Sequence, residues 1–403
     1  MKLLVKNKSD FQKRIDRRYP CEKSIVLRYH DCLAFEHHDE DKDRELKDWL
    51  EKTSIREGSR ILPLLIYKGV KIYILDETSL MHTHTLKSID GCISLARAKL
   101  AGLDRVVFES GGNTGTALTV YGQKLGFETF FFIPEDNLSL LDSRLFKSSR
   151  AHLISVKSPG LVKEAAQAFA QKKGLLRIPR VEWRHEASLC RGFSILEYIF
   201  ENGSFDWLAQ TISAAFGPIG IYAILANFKE LRSRLPRFLG IQQEANCPFY
   251  NAWKQKRPRP QKEKIVSTAN LLTRVMYDVR PHTYGAFEGF IRMLKQSAGA
   301  ITTLNHLEFK RFMEYKFDAQ GIVGLLKEKG IEITLKNNEV IEKTGLMALA
   351  GALKEIESGR ISRGQKVLCC LTSGISRADG KSEPEYRISC LQDAYKYSKS
   401  VSG

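Results

Sequence analysis

No CxxC pair occurs among the eight cysteines, so the sequence encodes neither a zinc ribbon nor a dithiol redox pair. Cys21, Cys32, Cys92, Cys190, Cys247, Cys369, Cys370 and Cys390 are scattered, several of them in apolar runs. They read as reduced core thiols of a cytoplasmic protein rather than a disulfide frame. The opening MKLLVKNKSDFQKR has no apolar segment of useful length and no cleavage site, which argues against export. Neither common nucleotide-binding turn is present: no strand-like run leads into GxGxxG, and GxxxxGK[ST] does not occur. Internal repeats, heptads and low-complexity tracts are also missing. His30, His37, His38, His82 and His84 lack the spacing with carboxylates on one helix that metal ligation needs, so no metal is expected.

Long apolar runs are scarce. Residues 207–228 (WLAQTISAAFGPIGIYAILANF) are charge-free and about as long as a membrane span. Their Gly-Pro-x-Gly break and polar residues read better as strand, tight loop and helix start, and no membrane association is expected. Acidic residues are the scarcer charge, with 46 Asp+Glu against 63 Lys+Arg and a net charge of +17. The densest basic run is KQKRPRPQKEK, holding Lys254, Lys256, Arg257, Arg259, Lys262 and Lys264 among prolines. Without interleaved aromatics or a recognition motif it reads as a solvated loop, and no nucleic-acid partner is expected.

What is present is a chain of 403 residues, 43% hydrophobic, long enough for one large unit or a few lobes with shared cores. Short apolar runs alternate with helical patterns from about residue 61 nearly to the end, the mark of α/β architecture with parallel sheets. The spacing predicts strand 71–75, then helix 85–100 with Leu86, Ile89, Ile93, Ala96 and Leu100 on one face. Lys87 falls in its first turn. Strand 105–108, the loop ESGGNTG, a helix through Leu125, strands 129–133 and 153–156, and helix 161–173 follow as a three-layer unit. A second series comprises strand 211–216, the loop GPIG, helix 221–231 and strand 238–242. Helices over 288–296, 306–315 and 344–357 precede strand 367–371 and the loop TSGIS.

Ligands of open α/β sheets collect beyond the carboxyl ends of strands. Gly217, Pro218, Ile219, Gly220 and Ile221 precede a helix whose N–H groups and dipole suit a phosphate, although Pro218 offers no N–H. Gly-x-x-Gly turns also serve packing alone. Ser110, Gly111, Gly112, Asn113 and Thr114 allow the backbone to curl its N–H groups around a carboxylate, with the Asn113 amide as a further donor; a plain turn is the other reading. Thr372, Ser373 and Gly374 place hydroxyls in a third loop.

With these loops in order, the chain resembles the fold-type II pyridoxal-phosphate (PLP) enzymes, the tryptophan synthase beta superfamily, and most of all their threonine synthase branch, over about residues 25–380. HTHTLKS is similar to the family's lysine segment, SGGNTG to its S-S/T-G-N-T/H-G loop, and IQQEANCPFYNAW, EKTGLMALAGAL and VLCCLTSG to three later segments. The resemblance implies two three-layer αβα domains with mainly parallel sheets and the cofactor between them. The large PLP-binding domain would comprise 1–92 and 206–403, and the small one 93–205. It implies a PLP Schiff base on Lys87, Asn113 at the PLP ring oxygen, and Ser373 at the pyridine nitrogen. Gly217, Pro218, Ile219, Gly220 and Ile221 would hold the phosphate, while Ser110, Gly111, Gly112 and Thr114 receive the substrate carboxylate. A homodimer is implied as well.

The pattern is broken at His84, which stands where relatives carry glycine, at Ser88, Ile89 and Asp90 in place of Asp-Arg-Gly, and at Gly111 in place of a hydroxyl residue. These departures point to a specialised branch. The expected activity is β- or γ-elimination or replacement on an anionic, phosphorylated or otherwise activated amino acid. A serine/threonine dehydratase-like deaminase and a catalytically silent PLP-fold protein that binds a polyanion or partner stay open beside it.

Overall fold

The computed structural model describes residues 2–34, 39–281, 285–317 and 319–400, with side chains through 398. His37 and His38 lie outside the described residues. In chain order, the strands of the two main sheets are β1 (Arg60–Tyr67), β2 (Val70–Asp76), β3 (Arg105–Glu109), β4 (Glu128–Pro134), β5 (Ala151–Val156), β6 (Leu176–Arg177), β7 (Trp207–Thr211), β8 (Arg237–Gln243), β9 (Ala300–Leu304), β10 (Lys366–Leu371) and β11 (Tyr386–Ile388). The helices that matter here are α1 (Lys87–Leu100), α2 (Asn113–Lys124), α3 (Val162–Lys173), α4 (Val181–Asn202), α5 (Phe216–Leu225), α6 (Phe287–Gln296), α7 (Thr344–Glu357) and α8 (Leu391–Ser400).

One sheet runs β9-β8-β7-β10-β2-β1 and is parallel except for the β1–β2 pair. The other runs β11-β5-β4-β3-β6 and is parallel throughout. Strands buried on both faces need no polar alternation, which is why β4 can read Thr-Phe-Phe-Phe-Ile with every one of these residues buried. Side chains of period two divide each strand between layers. In the first sheet, Trp207, Ala209, Val367 and Cys369 pack under Leu346, Leu349 and Leu353 of α7. Leu208, Leu368 and Cys370 face the opposite way, into a core shared with α4 and α5. In the second sheet, Val107, Phe130 and Phe132 pack with Ala165, Ala166 and Phe169 of α3, while Phe108 and Phe131 enter the same core as α1 and α2. The α/β class and the mainly parallel sheets are therefore present as expected, and one continuous core joins the inner faces of both sheets.

Three readings of element position need correction. The strand expected at 211–216 lies at Trp207–Thr211, because its register is set by pairing with β8 and β10. A continuous apolar run carries no internal phase from which to read that register. In consequence, Gly217, Pro218, Ile219, Gly220 and Ile221 are not a loop before a helix but lie inside α5, which ends at Leu225 instead of near 231. Proline is tolerated in a first helical turn, where its missing N–H would have had no intrahelical acceptor. Third, the chain returns at its end: β11 pairs with β5, and Tyr397 of α8 stacks on Phe169 of α3. Residues 386–400 therefore accompany the sheet built from the 93–205 segment, rather than the rest of 206–403.

A buried ion pair ties α1 to α4. Arg97 Nη2 lies 2.7 Å from Glu186 Oε2, with 8% and 6% of the two side chains exposed. Arg97→Met leaves the Glu186 carboxylate buried without its partner, and urea denaturation should show a loss of about 3–5 kcal/mol. The double change R97M/E186L, which removes both charges, should lose clearly less.

Candidate active site

The carboxyl ends of β3, β4, β7 and β10 meet at a cavity of about 190 Å³, entered from these strands by Ser110, Pro134, Thr211 and Thr372. Lys87, Ser110, Gly111, Asn113, Thr114, Gly217 and Pro218, all singled out from sequence, share its wall. Gly112, Ser373, Ile219, Gly220 and Ile221 are not part of that wall. Ile221 is buried in the core, and Gly220 abuts Ser188 of α4 so closely that any Cβ would collide with it. These two are packing residues of α5. The turn that faces the cavity is 212–215, Ile-Ser-Ala-Ala, just ahead of α5. Ala215 closes it at φ +60°, a left-handed conformation no sequence pattern announces for alanine.

Lys87 is the first residue of α1, and its N–H donates to Thr85 Oγ1 at 2.9 Å. Its ammonium lies 2.8 Å from Asp90 Oδ2 one helical turn on, with the Asp90 side chain only 7% exposed. Thr85 pairs with Ser373 across an isolated bridge, which brings the lysine segment and the loop after β10 side by side. His84 adopts φ +57°, the left-handed conformation that glycine takes without steric penalty, so it stands in a glycine-favouring position. Burial depresses the basicity of both flanking imidazoles, His82 to about 4 and His84 in the same direction.

On the facing sheet, Gly112 at φ +152° caps α2 in a conformation open to glycine, and its N–H donates to Ser110 Oγ at 3.0 Å. The α2 start then presents unpaired N–H groups and the positive end of its dipole to the cavity. Asn113 Nδ2 donates to Glu342 Oε2 at 3.3 Å, and burial raises the Glu342 carboxyl above its usual range. Burial likewise raises Glu109, opposed by the nearby cations Arg177, Arg184 and Lys163.

Reading by motif passed over several residues. Lys163 and Arg184 line the cavity, as does the irregular stretch 275–279. No spacing rule marks them, since an irregular segment has no period and a single basic residue on a helix is ordinary. The basic run at 254–264 is exposed apart from Pro260 and Glu263 and lies outside the cavity wall. Among the described residues no helix is long and apolar enough to cross a membrane, and no group of three potential metal ligands comes together.

The donor set fits PLP. Thr372 Oγ1, Ser373 Oγ and Arg191 Nη1 are buried polar atoms with no hydrogen-bond partner, and such atoms are rare unless a ligand or water completes them. A lysine amine, a helix start able to bind an anion and the Thr372 hydroxyl line one cavity at the carboxyl edges of two mainly parallel sheets, with Ser373 and Arg191 next to residues of its wall, which is a PLP-binding cleft. The chain belongs to the family described as pyridoxal-phosphate dependent enzymes, whose profile matches residues 60–295. It is similar to the cysteate synthase of Methanosarcina barkeri, at 23% identity over 77% of this chain and 73% of that one. It is also similar to the threonine synthase of Bacillus sp. strain ULM1, at 24% identity over 84% and 87%. Its fold matches holo diaminopropionate ammonia lyase of Escherichia coli, with TM-score 0.62, 12% identity and coverage of 89% and 92%. The fold is fold type II and the cofactor is PLP.

Beneath α1, the Tyr121 hydroxyl donates to the buried Glu57, whose carboxyl burial pushes up from 4.5 to about 8. The folded protein thus keeps a proton that the unfolded chain releases above its ordinary value, so stability falls as pH rises between those two values. Urea unfolding of the wild type should show this decline from about pH 4.5 to about 8, at no more than about 1.4 kcal/mol per pH unit. Glu57→Gln should flatten it, and an unchanged slope in the variant would refute the assignment.

Proposed function

We propose that this PLP-dependent enzyme performs elimination or replacement at the β- or γ-carbon of an anionic, phosphorylated or otherwise activated amino acid, in the manner of a threonine synthase. The observation that carries the reading is the cationic side of the cavity. Arg184 lies over the Phe216 ring at 5.4 Å and makes no ion pair among the described residues. Lys163 lines the same wall, with Asp278 at 3.1 Å. A guanidinium free to form two parallel hydrogen bonds is suited to a phosphate or carboxylate on the substrate side chain. Both sequence relatives quoted above are synthases, which favours replacement over simple elimination.

With PLP bound, Lys87 would hold it covalently and would take the proton from the substrate α-carbon. PLP, when bound, supplies the electron sink for the carbon that loses that proton. Asp90 fixes the position of the lysine amine through its 2.8 Å contact. The start of α2, with Ser110, Gly111, Gly112 and Thr114, receives the substrate carboxylate on N–H groups and hydroxyls. Asn113, steadied by Glu342, serves the cofactor's ring oxygen. Thr372 in the wall and Ser373 beside it would offer neutral hydroxyls to the ring nitrogen. The turn 212–215 and the first residues of α5, Gly217 and Pro218 among them, would hold the cofactor phosphate. Ile219, Gly220 and Ile221 support that turn through packing.

A panel of phosphorylated and O-acylated hydroxy-amino acids, assayed with and without an added nucleophile, tests the reaction class. Release of the leaving group that depends on the nucleophile supports replacement. Keto acid formed without one would make the enzyme a dehydratase-like deaminase, and no turnover of any compound would sink the catalytic reading. Lys87→Ala should abolish the covalent label seen by mass spectrometry after borohydride reduction with PLP. Arg184→Ala should raise KM for the anionic substrate about 10- to 100-fold, with a smaller change in kcat, as expected for a lost charge-assisted hydrogen-bond pair.

A further inference from the structure

We propose that Arg191 is a positioning residue for the cofactor phosphate, acting from beneath the turn that cradles it. This inference rests on the reading of 212–217 as the phosphate turn. Arg191 projects from α4 with 1% of its side chain exposed, and Glu77, with none exposed, grips it through Nε and Nη2, the Nη2 contact measuring 2.6 Å. Nη2 also donates to Gln210 Oε1 at 2.9 Å, at the end of β7. The remaining corner of the guanidinium, Nη1, is buried without an oxygen or nitrogen acceptor, and the Cys370 thiol, a weak acceptor, lies against the guanidinium.

That corner points at the first turn of α5. A Cβ built on Gly217 would lie 2.5 Å from Nη1 and 2.9 Å from Gln210 Nε2, so position 217 has no room for a side chain and the guanidinium sits directly against the turn. Gly217 and Pro218 line the cavity from the same turn. The Arg191–Glu77 pair is therefore an oriented dipole, with its carboxylate on one edge and its positive corner towards the turn. In a buried setting such a fixed dipole acts strongly over a few ångströms and needs no reorganisation when an anion arrives. It also makes up for Pro218, which removes one N–H from the helix start that would otherwise contact the phosphate.

The experiment compares PLP with pyridoxal, which lacks the phosphate, by equilibrium dialysis against wild type, R191K and R191M/E77Q. The double variant removes both charges, so no carboxylate is left buried alone. R191K keeps the charge on Glu77 but has no atom to reach Gly217. The expected result in both variants is a loss of PLP affinity of about tenfold or more, one decade being about 1.4 kcal/mol, with pyridoxal affinity changed less than about twofold. Bound PLP should show the corresponding signature in phosphorus NMR, with a phosphate resonance that titrates with pH in the variants and not in the wild type. Equal loss of both ligands would assign Arg191 to scaffolding alone, and unchanged PLP affinity would leave it no part in phosphate binding; either outcome overturns the inference. Failure of wild type to bind PLP would instead overturn the cofactor reading of the cavity on which it rests.

Discussion

Lys87 with Asp90, and Arg191 with Glu77, form two neighbouring ion pairs at the cavity, Lys87 on its wall. The pairs are coupled, since Asp90 also helps to hold Arg191 in its charged form. They draw together the first turn of α1, the residue after β2, the middle of α4 and, through Gln210, the end of β7. Arg191, Glu77 and Asp90 are buried deeply enough that a lone charge among them would lose several kcal/mol of hydration, so each is tolerated only with its partner. The geometry of the cleft is thus locked by electrostatics as much as by packing: a shift of any of these elements would separate a buried pair.

Three of the buried polar atoms without a partner belong to residues at or next to the cavity wall. Thr372 Oγ1, Ser373 Oγ and Arg191 Nη1 carry no partner, while Glu57, Glu109 and Glu342 are pushed towards their neutral forms by burial. Both features weaken the fold of the protein alone, and both suit a site that is completed by a charged, multiply hydrogen-bonded ligand. The apolar layers of α7 on one side and α3 on the other supply the compensating burial.

Much of the architecture was legible because it rests on local periodicity. Helix 344–357 was read from sequence to the residue, and α1 was misjudged by two positions where Thr85 and Leu86 lead into it without yet being helical. Lys87 and Asn113 can be singled out because HTHTLKS and SGGNTG resemble family segments, and both residues line the cavity. The turn that faces the cavity lies a few residues before the expected one, because glycine and proline draw attention to 217–220, whereas Ser213, Ala214 and Ala215 carry no turn signature. Arg191 and Glu77 were invisible: they are 114 residues apart in sequence, and nothing in either neighbourhood marks a buried charge. Contacts of that kind are set by the meeting of distant elements, which single-sequence patterns do not encode.

The return of β11 to the second sheet also bears on how the chain is made. Among the described residues the outer edge of β5 is closed by Tyr386–Ile388 alone, so during synthesis that edge stays bare while more than half of the chain, from β5 to β11, leaves the ribosome. An unpaired parallel edge flanked by Phe130, Phe132 and Ile154 is the type of surface on which nascent chains join one another. His152 and Glu128, on β5 and β4 beside it, bring polar groups to this region, and the exposed basic run at 254–264 emerges before the edge is sealed, adding like-charge repulsion between neighbouring nascent copies.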